Sequence, residues 1–344
     1  MKAEVVLPSE LSSRDIEVWS RYNVTSAGLA VAFLSYPYVL AAERTFGSVR
    51  VCRVEDNGEP VLFFPFQFRS LFHRYFGIGQ SVAGNLSDYF GIIAGENFKI
   101  DEQSLLARSR LAAILFTHLE ECQLRFGLSG QSAECGHVVD FSLGEHCFWQ
   151  ERRVIDKKFV LDTERRERRL EQDVGLIRFE LQSTNVQREL NNLIIAKRQQ
   201  YSRTGVPDPL RAELNAQFLR LLSSSVHPLC AGVMSTMYAG TTWVASHFGL
   251  QCGETLHYWF PVYNHQLRSY GPGRLLLKMI MRHASERGIS RIDRGAGDAA
   301  AKRDFSTMTH DYYRGLWSGG TFVSLAYRLG LSALWRYKML KSSS

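Results

Sequence analysis

The sequence predicts a mixed α/β protein in two parts, each with strands and helices of its own. Three observations lead there. Apolar residues alternate at a period of two in both halves, first over 47–68 and again over 230–263. Helical stripes lie between and after these runs, the clearest over Val186–Tyr201 and from Pro272 to Gly288. The charge is also divided: residues 1–150 carry 12 Lys and Arg against 17 Asp and Glu, whereas 151–344 carry 29 against 17. A chain of 344 residues is long enough for two cores.

From Asn23 to Ala42 the chain is uncharged for 20 residues, the length of a membrane span. Ser35-Tyr36-Pro37 interrupts it, because a proline and its predecessor disfavour a continuing helix. The stretch therefore reads as a strand, Gly28–Leu34, and a helix, Tyr38–Phe46. Asp56-Asn57-Gly58 is a hairpin turn between Val49–Arg53 and Val61–Phe68. Gly77–Gln80 and Gly84–Asp88 punctuate short extended pieces. Asp101 suits an N-cap, and Leu105, Leu106, Leu111, Ile114, Leu115, His118, Leu119 and Cys122 continue a helical stripe as far as Gly127. Residues 1–150 form the first part.

Eight Lys and Arg between Arg152 and Arg169 mark a charged bridging segment, 151–175, with a helix around Thr163–Gln172. The second part, 176–325, begins with the strand Leu176–Leu181. A helix over Val186–Tyr201 follows, with Leu190, Leu193, Ile194 and Lys197 on its stripe. Pro207-Asp208-Pro209 breaks the chain before a helix over Leu210–Leu222. Strands Cys230–Tyr238, Thr242–Leu250 and Thr255–Tyr263 make a meander with turns at Gly240 and Cys252-Gly253. The next helix has Pro272 near its start and Gly288 past its end, the usual asymmetry. Ile289–Arg294 is the last core strand. An aromatic, basic stretch begins at Trp317 and ends in a tail, 326–344.

Arg268-Ser269-Tyr270-Gly271-Pro272-Gly273-Arg274 precedes that helix with the spacing R-x-x-G-x-G. A diphosphate needs backbone N–H groups pointing at it, glycines that allow close approach, and the positive end of a helix dipole. Arg268 and Arg274 can add charge-assisted bonds. The same pattern also suits a tight, well-capped loop with no ligand. It is neither a Rossmann fingerprint nor a Walker loop, since the glycine spacing and the lysine are wrong.

The run from Thr242 to Phe305, with SHFGL, LHYWFPVYN, YGPGRLLLKMIMRHASERGISRIDRGAGD and KRDF, resembles the acyltransferase domain of the CelD/BcsL-type family. So do IAKRQQYSRTGVPDP at 195–209, Phe33-Leu34-Ser35 with Tyr38, and Ser87-Asp88-Tyr89. That family belongs to the GNAT superfamily and is tied to bacterial cellulose and exopolysaccharide production. The resemblance implies a tandem of two GNAT-like halves, similar to the FemABX transferases. It implies acetyl-CoA or another acyl-CoA held at Arg268, Tyr270, Gly271, Gly273 and Arg274. It also implies a saccharide acceptor and an association with polysaccharide synthase machinery. Where relatives have a tyrosine-lysine pair after Gly-Asp, this chain has Ala301-Lys302, so Lys302 is left to grip an anionic acceptor.

Acyl transfer needs a base for the nucleophile's proton. His257 and His247, on adjacent strands, suit it by their near-neutral pKa. A two-residue turn would place them on opposite sheet faces; a three-residue turn would place them on one. Asp298 follows the last strand, where it could orient a histidine, bind the acceptor or simply cap a turn. Tyr258 is a further acceptor-site candidate, and Asp293 reads as a structural partner for an arginine. Two other readings stand beside the acyl-CoA enzyme: a FemABX-like aminoacyl transferase and a non-catalytic binding module. Six cysteines without a CxxC pair, and an N-terminus without a signal-peptide core, predict a cytoplasmic protein with no transmembrane segment. The amphipathic tail Leu325–Lys341 suits either its own domain or the inner face of a membrane. No metal-ligand spacing or RNA-binding motif is present in the sequence, so neither a metal nor nucleic acid is expected.

Overall fold

The computed structural model describes residues 1–330. The remainder of the tail expected over 326–344 lies outside the described residues. In chain order the strands are β1 (Lys2–Val6), β2 (Val49–Asp56), β3 (Glu59–Phe68), β4 (Ile78–Gln80), β5 (Ile93–Ala94), β6 (Ala113–Glu120) and β7 (Gln131–Asp140). They continue as β8 (Ile177–Glu180), β9 (Val226–His227), β10 (Cys230–Ala239), β11 (Thr242–Cys252), β12 (Thr255–Tyr263), β13 (Arg291–Ala296) and β14 (Met308–Ser318). The helices are α1 (Ser13–Thr25), α2 (Tyr36–Phe46), α3 (Leu71–Tyr75), α4 (Glu102–Arg108) and α5 (Glu145–Ile155). After them come α6 (Lys157–Asp173), α7 (Val186–Thr204), α8 (Glu213–Ser223), α9 (Pro272–His283) and α10 (Ala300–Arg303). A further helical stretch runs over 322–330.

Two compact units result. The first comprises Met1–Leu29, Phe33–Glu134 and the chain from Asp311 onward. The second comprises Ala30–Ala32 and Cys135–His310.

The first unit has the strand order β1-β2-β3-β4-β6-β14. All neighbours are antiparallel except β4 and β6, which run parallel over Ile78–Gln80. Asn57, at φ 50°, and Gly58, at φ 86°, close the β2–β3 hairpin as their left-handed preference predicts. The stripe from Asp101 to Gly127 is not one helix. Ser109 returns its hydroxyl to the Leu105 carbonyl, and Arg110, at φ 55°, turns the chain out of α4. β6 then alternates, with Ile114 and Phe116 buried and Leu115 and Thr117 exposed. The strand expected over Gly28–Leu34 is also absent: the carbonyls of Leu29 and Leu34 are taken by Asn23 and Trp19 side chains, and Ala32–Leu34 is a short 3-10 turn. Trp317 belongs to β14. Its indole donates to the Ser129 carbonyl at 2.8 Å and packs on Phe116 and Phe90.

The second unit has the order β7-β13-β12-β11-β10-β8. It is antiparallel except where β12 and β13 run parallel. The meander forms as predicted, and β12 spans the expected residues. α9 packs on β11 and β12, with Leu275, Leu276 and Ile280 fully buried, while α7 and α8 pack on the meander. α6 carries its ionic side chains on one flank and buries Phe159, Val160 and Leu170 on the other. All six cysteines are free.

Trp317→Ala removes a buried indole and leaves the Ser129 carbonyl without its donor. It is expected to destabilise the first unit by about 3–5 kcal/mol, read as a lower urea midpoint at unchanged m-value.

Candidate functional site

β12 and β13 pair over three residues only: Thr255 with Arg291, Leu256 with Ile292, and His257 with Asp293. Beyond that point they part. The next residues, Tyr258 and Arg294, begin the walls of a crevice of about 230 Å³. Pro261 and Tyr263 extend one wall. The first two turns of α9 add Gly273, Arg274 and Leu277, and α7 adds Lys197 and Gln200. A second, wider groove of about 710 Å³ shares Arg274 and Asp304 with the crevice and is flanked by Lys157, Lys158 and Arg165.

A bulge decides which side chains face this crevice. Phe248 pairs with Phe260 and Leu250 with His257, so Tyr258 and Trp259 together oppose Gly249. The extra residue shifts the alternation, so Pro261 and Tyr263 join Tyr258 at the crevice. The Tyr258 ring stacks over His247 at 4.4 Å and 9°, and His257, its neighbour in sequence, points to the other face. Gly249 has to be glycine here, because a Cβ would lie 2.2 Å from the His257 carbonyl oxygen.

The crevice holds cations that burial has weakened. The Lys197 ammonium, mostly buried, donates to the Pro261 carbonyl at 2.8 Å and sits 5.3 Å from the Tyr201 ring centroid. Burial lowers its pKa to about 8. Burial also lowers that of Arg294, whose guanidinium lies over the Tyr258 and Phe305 rings. Arg294 Nε and Gln200 Oε1 are buried and have no partner among the described residues. Such groups mark where a ligand's polar atoms can bind.

The structure gathers some of the sequence-predicted residues and separates others. Gly273, Arg274 and Tyr258 line the crevice. A Cβ on Gly273 would touch only Tyr263, at 3.9 Å, so the backbone there is open to a ligand. The first-turn amides are less free than the motif suggests. Pro272 has none, and those of Arg274 and Leu275 already donate to the Gly271 carbonyl. Arg268 is exposed on the 3-10 turn before α9. Tyr270 and Gly271 face α6: the tyrosine donates to Asp173 at 3.0 Å, and Arg166 lies 3.2 Å from where a Gly271 Cβ would be. Arg274 also reaches α6, with Asp162 at 3.0 Å.

The turn between Cys252 and Thr255 has two residues, so His247 and His257 fall on opposite faces. Both His247 nitrogens are buried and have no hydrogen-bond partner among the described residues, and burial, aided by nearby His257, pushes its pKa down to about 3. His257 Nδ1 is 2.7 Å from Asp293 Oδ2, whose other oxygen accepts from the Gly295 amide. Burial alone would raise the Asp293 pKa, but the His257 ring and the Gly295 amide outweigh it and hold the carboxyl well below its usual range. Asp298 is exposed, bonded to Arg303 at 2.7 Å and 3.3 Å from His137 Nε2. Lys302 donates to the Gly295 and Ala296 carbonyls at the end of β13. Sequence reasoning missed Lys197, Gln200 and Arg294. The available signal was a lysine placed on the buried stripe of α7.

Residues 157–303 match the acetyltransferase (GNAT) domain family. In fold the chain is similar to FemX, with a TM-score of 0.58 at 9% identity over 90% of this chain and 97% of that one. It is likewise similar to a conserved protein of unknown function from Bacteroides thetaiotaomicron, at 0.57 and 9% over 90% and 98%. The C-terminal domain of a putative lysylphosphatidylglycerol synthetase from Agrobacterium fabrum is similar at 0.52 and 12% over 85% and 90%. No curated protein matches the chain in sequence. The fold is therefore similar to that of FemX, and the acyltransferase match lies in the second unit, over residues 157–303.

Lys197 also leaves a stability signature. Its folded pKa is depressed below the unfolded 10.5, so between about 8 and 10.5 the unfolded chain holds a proton that the native state has released. Stability therefore rises with pH across that window, by about 3 kcal/mol at most. Lys197→Met is expected to stabilise the protein at pH 7 and to flatten the rise, measured by urea titrations at stepped pH.

Proposed function

We propose that the chain transfers an acyl group from acetyl-CoA or another acyl-CoA to an amino or hydroxyl group on a sugar or polysaccharide precursor. The observation that carries this reading is the crevice that opens where β12 and β13 part, with Gly273 at its rim and buried cations on its walls. The acceptor class, and a role alongside polysaccharide synthase machinery, rest on the resemblance of residues 195–305 to the CelD/BcsL-type family.

The residues fit a coenzyme A thioester. Gly273 leaves room at the helix N-terminus, and Arg274 offers a guanidinium between crevice and groove. Bound there, the thioester supplies an activated acyl carbon. The chain supplies the proton chemistry. Lys197, with a pKa of about 8, is neutral in about a tenth of molecules at pH 7 and in about half at pH 8, and in that form can accept the nucleophile's proton. Arg294 Nε–H, which has no acceptor among the described residues, can stabilise negative charge on the reacting carbonyl oxygen. His257 and Asp293 hold the two strands together at the apex, and Tyr258 separates His247 from the crevice.

A second reading is aminoacyl transfer from a charged tRNA. The 710 Å³ groove, with Lys157, Lys158 and Arg165 beside Arg274, favours it, since a polyanion larger than coenzyme A could lie there.

Calorimetry with coenzyme A is expected to detect binding that Gly273→Trp abolishes while the melting temperature holds. No heat with coenzyme A, together with turnover of aminoacyl-tRNA, would favour the second reading. With a panel of amino sugars, kcat/KM is expected to rise with pH through about 8. Lys197→Met should lose that limb and about 10²–10⁴-fold in rate, with donor binding retained.

A further inference from the structure

The first unit carries an apolar surface that its own core does not explain. α3 is five residues long and leaves Leu71, Phe72 and Tyr75 at 82%, 63% and 86% exposure. Beside it, the helical stretch over 322–330 exposes Phe322 at 86%, with Leu325 and Leu329 more than half exposed. Between the two lies an almost wholly apolar groove of about 430 Å³, lined by Phe72, Phe76, Ile78, Phe322, Val323 and Tyr327. Large exposed apolar residues gathered in one place mark a contact surface.

The charge around them has one sign. Arg69 precedes α3 and Arg74 lies on it, both exposed, and Arg328 is exposed on the neighbouring helix. No Asp or Glu occurs between Pro60 and Ser87. From Tyr312 to Ser344 there are five Lys and Arg and no acidic residue. Exposed Phe, Leu and Tyr interleaved with arginine, on short helices, is the composition of segments that lie at a lipid–water boundary, where rings enter the headgroup layer and cations meet lipid phosphates. No described helix is long and apolar enough to cross a membrane, so this is a surface that rests on a bilayer and does not span it.

We infer that the face formed by α3 and the helix over 322–330 docks the protein on an anionic membrane surface. Phe72, Tyr75 and Phe322 enter the headgroup layer, and Arg69, Arg74 and Arg328 contact the phosphates. This inference is independent of the acyl donor, because every residue it uses lies in the first unit.

Co-sedimentation of the full chain with vesicles tests it. Vesicles of phosphatidylcholine with phosphatidylglycerol are expected to bind at least about tenfold better than phosphatidylcholine alone, and added salt should weaken the binding. Arg69→Glu with Arg74→Glu, and separately Phe72→Ser with Phe322→Ser, should each lower binding about tenfold without lowering the melting temperature, since all four residues are exposed. A Phe72→Trp variant should gain a blue-shifted emission, relative to the parent chain, only when anionic vesicles are added. Equal binding to both vesicles, or none, overturns the inference. An emission already blue-shifted without lipid and unchanged by it means that the chain's own tail fills the groove, and overturns it too. Concentration-dependent dimerisation abolished by Phe72→Ser would assign the face to a second copy instead.

Discussion

The three-residue parallel junction of β12 and β13 is the constraint on which the site depends. Two strands paired along their whole length leave no room for a ligand, and two unpaired strands leave polar backbone without partners. Here the ladder stops at His257 and Asp293, whose side chains bond each other at 2.7 Å and mark its last rung. The freed backbone beyond finds other partners. The Pro261 carbonyl accepts from Lys197, and the Gly295 and Ala296 carbonyls accept from Lys302. Two lysines thus hold the mouth open from opposite sides by satisfying groups that strand pairing would otherwise satisfy.

The bulge at Tyr258 extends the same logic sideways. A regular β12 would put Phe260 and Val262 on the face of Tyr258, and Pro261 and Tyr263 would turn away from the crevice. Tyr258 seals His247 beneath its ring and presents the ring to Arg294. The site therefore concentrates buried basic groups on one face and a buried ion pair on the other. An interior of low polarity makes each hydrogen bond formed there stronger, and each one left unmade more costly.

Much of the second unit was legible in the sequence. The meander and the helix from Pro272 to His283 carry clean periodicity, with glycine and proline at the breaks, and Gly273, Arg274 and Tyr258 meet in the crevice. The failures have physical causes. Over 101–126 the apolar residues satisfy a helix and a strand about equally, and the break falls at Arg110, a residue type that gives no notice of a left-handed turn. Lys197 and Gln200 come to the crevice from a helix some sixty positions upstream of β12, a proximity that only tertiary packing creates. The His257–Asp293 pair depends on register between strands separated by a helix, and the bulge that turns Pro261 and Tyr263 toward the crevice depends on Gly249, which looks like any other strand glycine.

The return of β14 to the first unit has a consequence for biosynthesis. β6 pairs with β4 on one edge and with β14 on the other. As the polypeptide leaves the ribosome, Met1–Glu134 emerges early, yet the strand that closes β6 is encoded after position 310. Everything that the second unit needs is translated before that strand. In vectorial synthesis the later-encoded unit can therefore reach its native sheet while the earlier one still has an unpaired, largely apolar edge exposed to chaperones and to neighbouring nascent chains.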